Sequence, residues 1–291
     1  MRVLILGGSG MLGHRLLQAL EARGHEARAT LRGTLDSYPR RGPLRRDNSI
    51  PEVELRDGTR LRQVIAGYRP DTVVNAAGLV LQREDASDPI LNIELNSLLP
   101  HRAAVYCREY AARLIHISSD CVFSGSRGGY TEADIPDPVD LYGRSKLLGE
   151  VGYAPGITLR TSMIGFELNG AHGLLEWFLA QTGTVRGYRR AIFSGLTTIE
   201  MCRVIERILS HDSNRHGVYH LSAEPISKHD LLCALRDALH LPVEITPADE
   251  PAIDRSLDSS RFREEFRYNP PAWRDMIGEL AAEADAYKKA T

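Results

Sequence analysis

A tyrosine and a lysine stand four positions apart in the stretch DLYGRSKLLGE, residues 140 to 150. Residues i and i+4 of a helix lie on one face, so the phenol of Tyr142 and the ammonium of Lys146 are predicted to converge. A nearby positive charge favours phenolate, and we expect it to lower the pKa of Tyr142 from its usual value of about 10. Such a tyrosine is suited to act as general acid toward a carbonyl oxygen whose carbon accepts hydride.

Lysine is rare in this chain, which makes its use at position 146 informative. Lysine and arginine together number 36, and the lysines are Lys146, Lys228, Lys288 and Lys289. A lysine ammonium is a compact, mobile point charge that can hydrogen-bond a nicotinamide ribose, whereas a rigid guanidinium would substitute poorly. A third group, Ser119, ends the preceding apolar run, and its hydroxyl could hold a substrate carbonyl and orient the phenol.

A glycine-rich turn follows the first apolar run of the chain, RVLIL, and precedes the helical pattern MLGHRLLQAL. Its glycines are spaced GxxGxxG, which permits a tight turn and lets backbone N–H groups approach a diphosphate at a helix N-terminus. The position of the turn after the first strand favours dinucleotide binding over a purely structural role. The predicted cofactor-binding residues of this turn are Gly7, Ser9, Gly10, Met11, Leu12 and Gly13.

The residue after the second predicted strand, HEARATL, distinguishes the two nicotinamide cofactors. A carboxylate there would hydrogen-bond the ribose 2′-hydroxyl of NAD, whereas a cation accommodates the 2′-phosphate of NADP. This chain has Arg32 at that point and no acid before Asp36. NADP(H) is therefore the predicted cofactor, with NAD(H) as the alternative if Arg32 is only a surface arginine.

Short aliphatic runs alternate with helical patterns through the first half of the chain, which predicts a doubly wound parallel (Rossmann) α/β sheet. Residues 33–51, rich in Pro, Gly and Arg, are predicted to form an exposed connection. The pattern becomes less regular after about residue 165. We therefore predict an NADP-binding Rossmann domain at residues 1–165. Residues 166–291 are predicted to be mainly a smaller, irregular substrate lobe, with elements at about 197–222 returning to the first domain.

Composition excludes several other classes of protein. The net charge of −2 gives no basic field for nucleic acid or an anionic membrane. No segment approaches the roughly 18 apolar residues of a membrane span. The cysteines have no metal-ligand spacing, so we predict no metal site, and buried free thiols would fit a cytoplasmic location. His116 and His220 lie in apolar runs and are interpreted as packed core residues.

These residues, in this order, resemble the extended short-chain dehydrogenase/reductase superfamily, whose glycine turn and Asn-Ala-Ala-Gly turn match GGSGMLG and VVNAAG. More narrowly, the chain is similar to the dTDP-4-dehydrorhamnose reductase family. That family carries a strand-end STDYVFDG and a later YGxSKLxGE, and here the same run reads SSDCVFSG and then YGRSKLLGE. The resemblance covers the whole chain, strongly to about residue 165 and loosely beyond it.

The resemblance implies a catalytic set of Ser119, Tyr142 and Lys146 that reduces the C4 ketone of a nucleotide-linked 4-keto-6-deoxy sugar in deoxysugar or polysaccharide biosynthesis. The nucleotide is dTDP or UDP. A homodimer through the predicted helices at 89–112 and 141–152 is also implied. The further residues that the resemblance implies for the cofactor are Asp57 at the adenine, Ala76, Ala77 and Gly78 beside the ribose, and Asn96 behind the active site. Those for the substrate are Ser119, Asp120, Cys121, Arg190 and Arg255.

Two departures from related families bear on the reaction. Sugar-nucleotide 4,6-dehydratases carry Thr-Asp-Glu where this chain has Ser119, Asp120 and Cys121, and the missing glutamate argues against dehydration. SGLT also replaces the Gly-x-Pro-Thr of the reductases before the run TTIEMCRVI, which predicts a remodelled substrate pocket. Two alternatives stay open: an NAD-dependent epimerase, and a non-catalytic regulatory subunit that keeps the cofactor pocket.

Overall fold

A computed structural model describes residues 1–39, 42–80, 84–168, 170, 172–211 and 215–288. The strands, in chain order, are β1 (Arg2–Leu6), β2 (Glu26–Thr30), β3 (Ser49–Ile50), β4 (Thr72–Asn75), β5 (Arg113–Ile117), β6 (Gly156–Arg160), β7 (Met163–Ile164), β8 (Gly183–Tyr188), β9 (Ala191–Phe193), β10 (Leu196–Thr197), β11 (Gly217–His220), β12 (Ile226–Ser227), β13 (Val243–Ala248) and β14 (Ile253–Asp254). The α-helices are α1 (Met11–Ala22), α2 (Gly58–Tyr68), α3 (Pro89–Asn92), α4 (Leu99–Glu109), α5 (Leu141–Leu148), α6 (Leu174–Leu179), α7 (Thr198–Ser210), α8 (Lys228–Leu239), α9 (Ser260–Phe266) and α10 (Trp273–Lys288).

The central sheet has the order β11-β6-β5-β4-β1-β2-β3, and every pair of neighbours is parallel. Its inner strands β1, β4, β5 and β6 are buried on both faces, as a parallel sheet covered by helices requires. The direction in which successive strands are added reverses between β1 and β4, and ligands of doubly wound folds bind beyond the carboxyl ends of the strands at such a point. The predicted fold class is therefore confirmed.

Helices cover the sheet on both faces. On one face, α1 and α7 pack on the sheet with aromatic residues of the C-terminal segment, among them Phe262 and Phe266. On the other face, α2 and α4 enclose a second apolar layer that includes Leu61 and Leu99. The helix before β5 runs from α3 through a π-helical turn at Ile93–Leu98 into α4. That arrangement leaves the carboxyl ends of the strands accessible.

The remaining short strands form three small sheets beyond β6: β10-β7, β12-β9-β14 and β13-β8. They enclose an apolar cluster of their own with α6, α8 and α10. Strand β11 lies beside β6 at the edge of the main sheet, in parallel register. The division of the chain into two domains near residue 165 stays a prediction.

The structure corrects three local predictions. Residues 33–51 are not simply an exposed connection, because Leu44 and Asn48 are buried and β3 lies within the range. The pattern of HGLLEWFLAQTG predicts a helix over residues 172–183, but the helix ends at Leu179, and Gly183, with φ of +75°, opens β8. The sixteen-residue helix α10 was not predicted at all.

Within the described ranges, no helix is both long and apolar enough to cross a membrane. Among the residues that the structure describes, no group of three or more His, Cys, Asp or Glu side chains could hold a metal ion. All cysteines are free. Cys107 and Cys202 are buried as predicted, but Cys121 and Cys233 are only half-buried, so that prediction was half wrong.

Candidate active site

A cavity of about 1110 Å³ lies between the carboxyl ends of the sheet strands and the C-terminal lobe. The glycine turn lines one end of the cavity, and the short strands of the C-terminal lobe line the other. Most of the predicted site residues line it together: Gly7, Ser9, Gly10, Met11, Leu12, Arg32, Ala76, Ala77, Gly78, Ser119, Asp120, Cys121, Tyr142, Lys146 and Arg255. The predicted residues Gly13, Asp57, Asn96 and Arg190 do not line it.

The glycine turn is built so that side chains are excluded from it. Gly7 has φ of +87°, a conformation that favours glycine. A Cβ at Gly13 would lie 2.1 Å from the carbonyl oxygen of Gly7, and one at Gly8 would lie 2.4 Å from the Cβ of Ala29. Gly13 therefore allows helix α1 to pack closely against the turn rather than contacting a ligand itself.

His14, which was not predicted as a site residue, contacts the backbone of the glycine turn. Its Nδ1 lies 2.8 Å from the carbonyl oxygen of Gly10, and its Nε2 lies 2.7 Å from the hydroxyl of Tyr287 on α10. Burial lowers the pKa of His14, so the ring is neutral at physiological pH. The C-terminal helix α10 thus contacts the backbone of the glycine turn through the buried side chain of His14.

The adenosine end of the cavity differs from the prediction at one residue. Asp57 is exposed and caps α2, because its Oδ1 accepts hydrogen bonds from the backbone N–H groups of Thr59 and Arg60. The residues that line the cavity there are Glu54 and Arg56, three and one positions earlier. Glu54 accepts a hydrogen bond from Arg56 at 3.0 Å, which lowers the pKa of the Glu54 carboxyl.

Asn96 lies outside the cavity and hydrogen-bonds the backbone at the end of the turn that follows β4. Its side chain accepts a hydrogen bond from the backbone N–H of Leu79 at 2.9 Å and donates to the carbonyl of the same residue at 3.2 Å. Its Nδ2 also lies 3.1 Å from the hydroxyl of Ser145 on α5. Asn96 therefore holds the turn of Ala76, Ala77 and Gly78 against the helix of the predicted catalytic residues.

Helix α5 carries Tyr142 and Lys146 into the cavity on one face. Asp140 caps it by accepting a hydrogen bond from the N–H of Gly143 at 2.7 Å. Gly143 lets the helix approach the segment after β5, since a Cβ there would lie 2.2 Å from the carbonyl oxygen of Cys121. The close approach brings the end of β5, with Ser119, beside Tyr142.

Ser119 is buried and oriented by its own loop. Its Oγ accepts a hydrogen bond from the N–H of Cys121 at 3.1 Å and donates to Asp120 Oδ1 at 3.3 Å. Burial raises the pKa of the Asp120 carboxyl, and the nearby Arg255 guanidinium opposes that shift only in part. The consecutive residues Ser119, Asp120 and Cys121 thus present a hydroxyl, a carboxyl and a thiol to the same cavity.

The protonation of the tyrosine differs from the sequence prediction. Withdrawal of the phenol from water raises the pKa of Tyr142 above its usual value, and the nearby Cys121, Asp120 and Asp140 add to the shift. Lys146 instead donates to the carbonyl of Ile117 at 2.7 Å, and burial lowers its pKa to about 8. The expected depression of the tyrosine pKa is therefore wrong for this structure, and Tyr142 keeps its proton at neutral pH.

A buried ion pair lies beneath the site. Arg160 on β6 bonds Glu150 through two nitrogens, at 2.8 and 2.7 Å, and the two side chains are only 7% and 6% exposed. Glu150 also accepts a hydrogen bond from Ser118 at 2.9 Å, and Arg160 lies 3.2 Å from Nε2 of His220. The pair links the segment that follows α5, the helix of Lys146, to two strands of the sheet.

The substrate end of the cavity contains a different pair of cations from the predicted one. Arg255 donates to the carbonyl of Phe123 at 2.9 Å and lies against Cys121. Arg190 is turned outward, with a side chain 62% exposed and 3.6 Å from Glu250. Lys228, the first residue of α8, lines the cavity instead. Lysine is rare in this chain, and this rarity was the sequence signal that could have identified Lys228.

Comparisons with known proteins support a family assignment. The family model described as RmlD substrate binding domain matches residues 1–162, more than half of the chain. The dTDP-4-dehydrorhamnose reductase of Aggregatibacter actinomycetemcomitans is 26% identical, over 98% of this chain and 99% of its own. Methionine adenosyltransferase 2 subunit beta of Danio rerio is 28% identical over 83% of this chain and 75% of its own.

Among solved structures, dTDP-4-dehydrorhamnose reductase from Bacillus anthracis in complex with NADP is similar, with a TM-score of 0.79. The alignment covers 97% of this chain and 99% of that one at 21% identity. At that identity, the similarity establishes the shared fold over nearly the whole length.

Proposed function

Because the chain belongs to the dTDP-4-dehydrorhamnose reductase-like family of extended short-chain dehydrogenases/reductases, we propose that it is a sugar-nucleotide reductase that uses NADPH. The substrate is a nucleotide-linked 4-keto-6-deoxy sugar, and the reduced group is its C4 ketone. The observation that carries the proposal is the convergence of Ser119, Tyr142 and Lys146 in a cavity that also contains the glycine turn.

The residues present fit a dinucleotide. The glycine turn forms a cradle that a Cβ would fill at Gly8 or Gly13, and it opens α1, whose N-terminus favours a diphosphate. Arg32 and Arg56 line the far end, where a 2′-phosphate needs cationic partners. When bound, NADPH supplies the hydride that reduces the ketone.

Side chains of the protein then supply the proton that the ketone oxygen accepts. The hydroxyl of Ser119 donates to Asp120 in this structure, and on substrate binding it would turn to donate to the ketone oxygen and hold it near the phenol of Tyr142. The raised pKa of Tyr142 keeps the phenol protonated, so it is an acid with a proton to give as negative charge develops on the oxygen. Lys146 supplies positive charge beside the reacting groups and a donor for the nicotinamide ribose.

Loss of water from the sugar has no base at position 121. The position that would need a basic side chain is Cys121, and burial raises the pKa of its thiol to about 12. A thiol with that pKa stays protonated at neutral pH and cannot remove a proton from carbon. The side chains after β5 thus favour reduction over dehydration.

A second candidate is a regulatory subunit that binds the cofactor without turnover. The relatives named methionine adenosyltransferase 2 subunit beta favour it, since they match most of this chain. The two functions differ in their need for a proton donor, because a binding subunit has no use for Tyr142. Fold similarity alone does not separate them.

The function is tested by following the hydride itself. We expect NADPH deuterated at the reactive face of the nicotinamide to give a sugar nucleotide with deuterium at C4, detected by NMR. An epimerase would convert a sugar without net incorporation from added cofactor. A regulatory subunit would give no product. Either result would contradict the proposal.

The activity should depend on the charge of Lys146. Burial lowers its pKa to about 8, so in the free protein the ammonium is charged below that pH and neutral above it. We expect kcat/KM, which reports the pKa values of the free enzyme, to fall as the pH rises through about 8. Tyr142 cannot cause this fall, because its pKa is raised.

The Lys146→Arg variant is the control for that pH profile. A guanidinium stays charged throughout this range, so the variant, although slower, should lose the alkaline fall between about pH 7 and 9. An identical alkaline fall in the wild type and the variant would assign it to another group.

Cofactor choice should depend on Arg32. Its guanidinium lines the cavity beyond β2, and a charge-assisted hydrogen bond to a phosphate contributes about 1.5–3 kcal/mol. We expect Arg32→Ala to raise the KM for NADPH by about tenfold or more and to change the KM for NADH little. Arg186→Ala, an exposed arginine outside the cavity, is the matched control. An unchanged ratio of the two KM values would remove Arg32 from the site.

A further inference from the structure

The lobe side of the cavity is an apolar wall with two cations in it. The wall residues of β7, β9 and β14 that line the cavity are aliphatic or aromatic, and the cations are Lys228 and Arg255. The carboxylate of this wall, Glu167, accepts hydrogen bonds from the backbone N–H groups of His172 and Gly173. Within the described ranges, neither cation forms an ion pair. Asp120 lies near Arg255, and burial raises the pKa of its carboxyl. Two positive charges that form no ion pair and face an apolar wall favour the binding of an anion there.

Strand β9 fixes the positions of the two cations relative to each other. Ser227 of β12 and Asp254 of β14 both pair with Ile192, from opposite sides of β9. Lys228 and Arg255 follow these residues directly, so they flank the strand. Neighbouring strands lie about 4.8 Å apart, so β12 and β14 are separated by roughly 10 Å across β9. Because β12 is antiparallel and β14 parallel to β9, Lys228 and Arg255 are displaced in opposite directions along that strand. Long side chains reaching inward from such a separation can contact one diphosphate between them.

The catalytic centre lies on the Arg255 side of this pair. Arg255 contacts the segment after β5 through Phe123 and Cys121, and Ser119 belongs to the same segment. Lys228 lies across β9 from it. Along the cavity, starting from the catalytic centre, the order of side chains is therefore Tyr142, Arg255 and then Lys228. A sugar nucleotide has the same sequence of parts: the reacting sugar, then the two phosphates, then the nucleoside.

We propose that Lys228 binds the diphosphate of the substrate opposite Arg255, at the phosphate nearer the nucleoside. The inference rests on the proposed function and adds the second cation that a diphosphate requires. It replaces Arg190, whose side chain points to solvent and faces Glu250. Lysine suits this position because its mobile ammonium can follow the phosphate, whereas Arg255 is fixed by its bond to a backbone carbonyl.

Helix stability gives no other reason for a lysine at this position. Ser227 caps α8 through the N–H of Asp230 at 3.0 Å, and this bond does not involve the Lys228 side chain. A positive charge in the first turn of a helix is unfavourable, so the helix alone would favour a different residue. The position of Lys228 at the cavity therefore explains the presence of a lysine better than helix stability does.

Titration calorimetry with UDP, dTDP and the corresponding monophosphates tests the proposal. We expect Lys228→Gln to weaken diphosphate binding by about tenfold or more, with a smaller loss for the monophosphates. Lys228→Arg should restore most of the affinity. NADPH affinity should not change, because the cofactor phosphates are expected at the glycine turn. Arg190→Gln is the matched control and should bind like the wild type.

The outcomes separate this proposal from the function on which it rests. If the wild type reduces a sugar nucleotide but Lys228→Gln binds diphosphates as tightly as the wild type, the role of Lys228 is refuted and the function stands. If Lys228→Gln loses NADPH affinity instead, the lysine belongs to the cofactor site and the proposal is also refuted. If the wild type binds neither nucleotide diphosphate, both ideas fail. Thermal melting of each variant confirms that the compared proteins are folded.

Discussion

Replacing Tyr142 with phenylalanine is expected to lower kcat by about 10²- to 10⁴-fold, the usual contribution of a positioned general acid. The phenol is the group that carries a transferable proton at neutral pH, because its raised pKa keeps it protonated. The ring itself stays in place, so the cavity keeps its shape. NADPH affinity, measured by quenching of protein fluorescence, should be unchanged within about twofold, since the diphosphate turn is not altered.

Tyr153→Phe is the matched control for that variant. Tyr153 is 40% exposed and its hydroxyl lies 2.9 Å from His101 on the surface, away from the cavity. The control should retain wild-type kcat. A Tyr142→Phe enzyme with nearly full activity would mean that another group supplies the proton, and the catalytic assignment would have to be abandoned.

Replacing Glu150 with glutamine is expected to lower the free energy of unfolding by about 3–5 kcal/mol, the usual cost of breaking a buried pair. The change leaves the Arg160 guanidinium buried without its carboxylate partner. Total stabilities of natural domains are about 5–15 kcal/mol, so this loss is large. Urea unfolding followed by circular dichroism measures it directly.

The double variant Glu150→Gln/Arg160→Met separates the ion pair from its surroundings. Removal of both charges should recover a large part of the lost stability, because the desolvation cost of the lone guanidinium disappears. The exposed pair of Arg189 and Asp249, each 55% exposed, supplies the surface comparison. Asp249→Asn should cost less than about 1 kcal/mol. Equal losses at the buried and exposed pairs would show that burial of the pair is not what matters.

The sheet and the glycine turn could be predicted because their signals are local. Parallel strands buried on both faces appear as short aliphatic runs such as RVLIL, and the turn shows its glycines directly. The run SKHDLLCALRDALH predicts a helix with Ser227 as its N-cap, and Ser227 is the N-cap of α8, since capping depends on a few consecutive residues. The helix spacing of Tyr142 and Lys146 belongs to the same class of signal.

The substrate side could not be predicted in the same way. The difference between Arg190 and Lys228 depends on how β9 pairs with β12 and β14, which join residues more than thirty positions apart in the chain. At the end of the cavity predicted to hold adenosine, Glu54 lines the cavity. Asp57, three residues later, is the N-cap of α2, so its carboxylate is bound to the helix backbone.

The pKa of Tyr142 shows a second limit of sequence reasoning. The motif gives the cation that would stabilise a phenolate, but it does not give the degree of burial. In the structure, burial and neighbouring acids outweigh that attraction, and Lys146 is held by the carbonyl of Ile117. The tyrosine keeps the proton that reduction consumes, but the raised pKa makes the phenol a weaker acid than the motif alone predicts.

The central claim is that this chain reduces a nucleotide-linked ketosugar with NADPH. The most direct measurement is the fall in NADPH absorbance with a panel of dTDP- and UDP-linked 4-keto-6-deoxy sugars, with wild type and Tyr142→Phe compared at equal concentration. We expect stoichiometric NADPH oxidation with one sugar and almost none in the variant. No oxidation of NADPH or NADH with any sugar, by a protein that binds the cofactor, would contradict the account and favour the epimerase or the regulatory subunit.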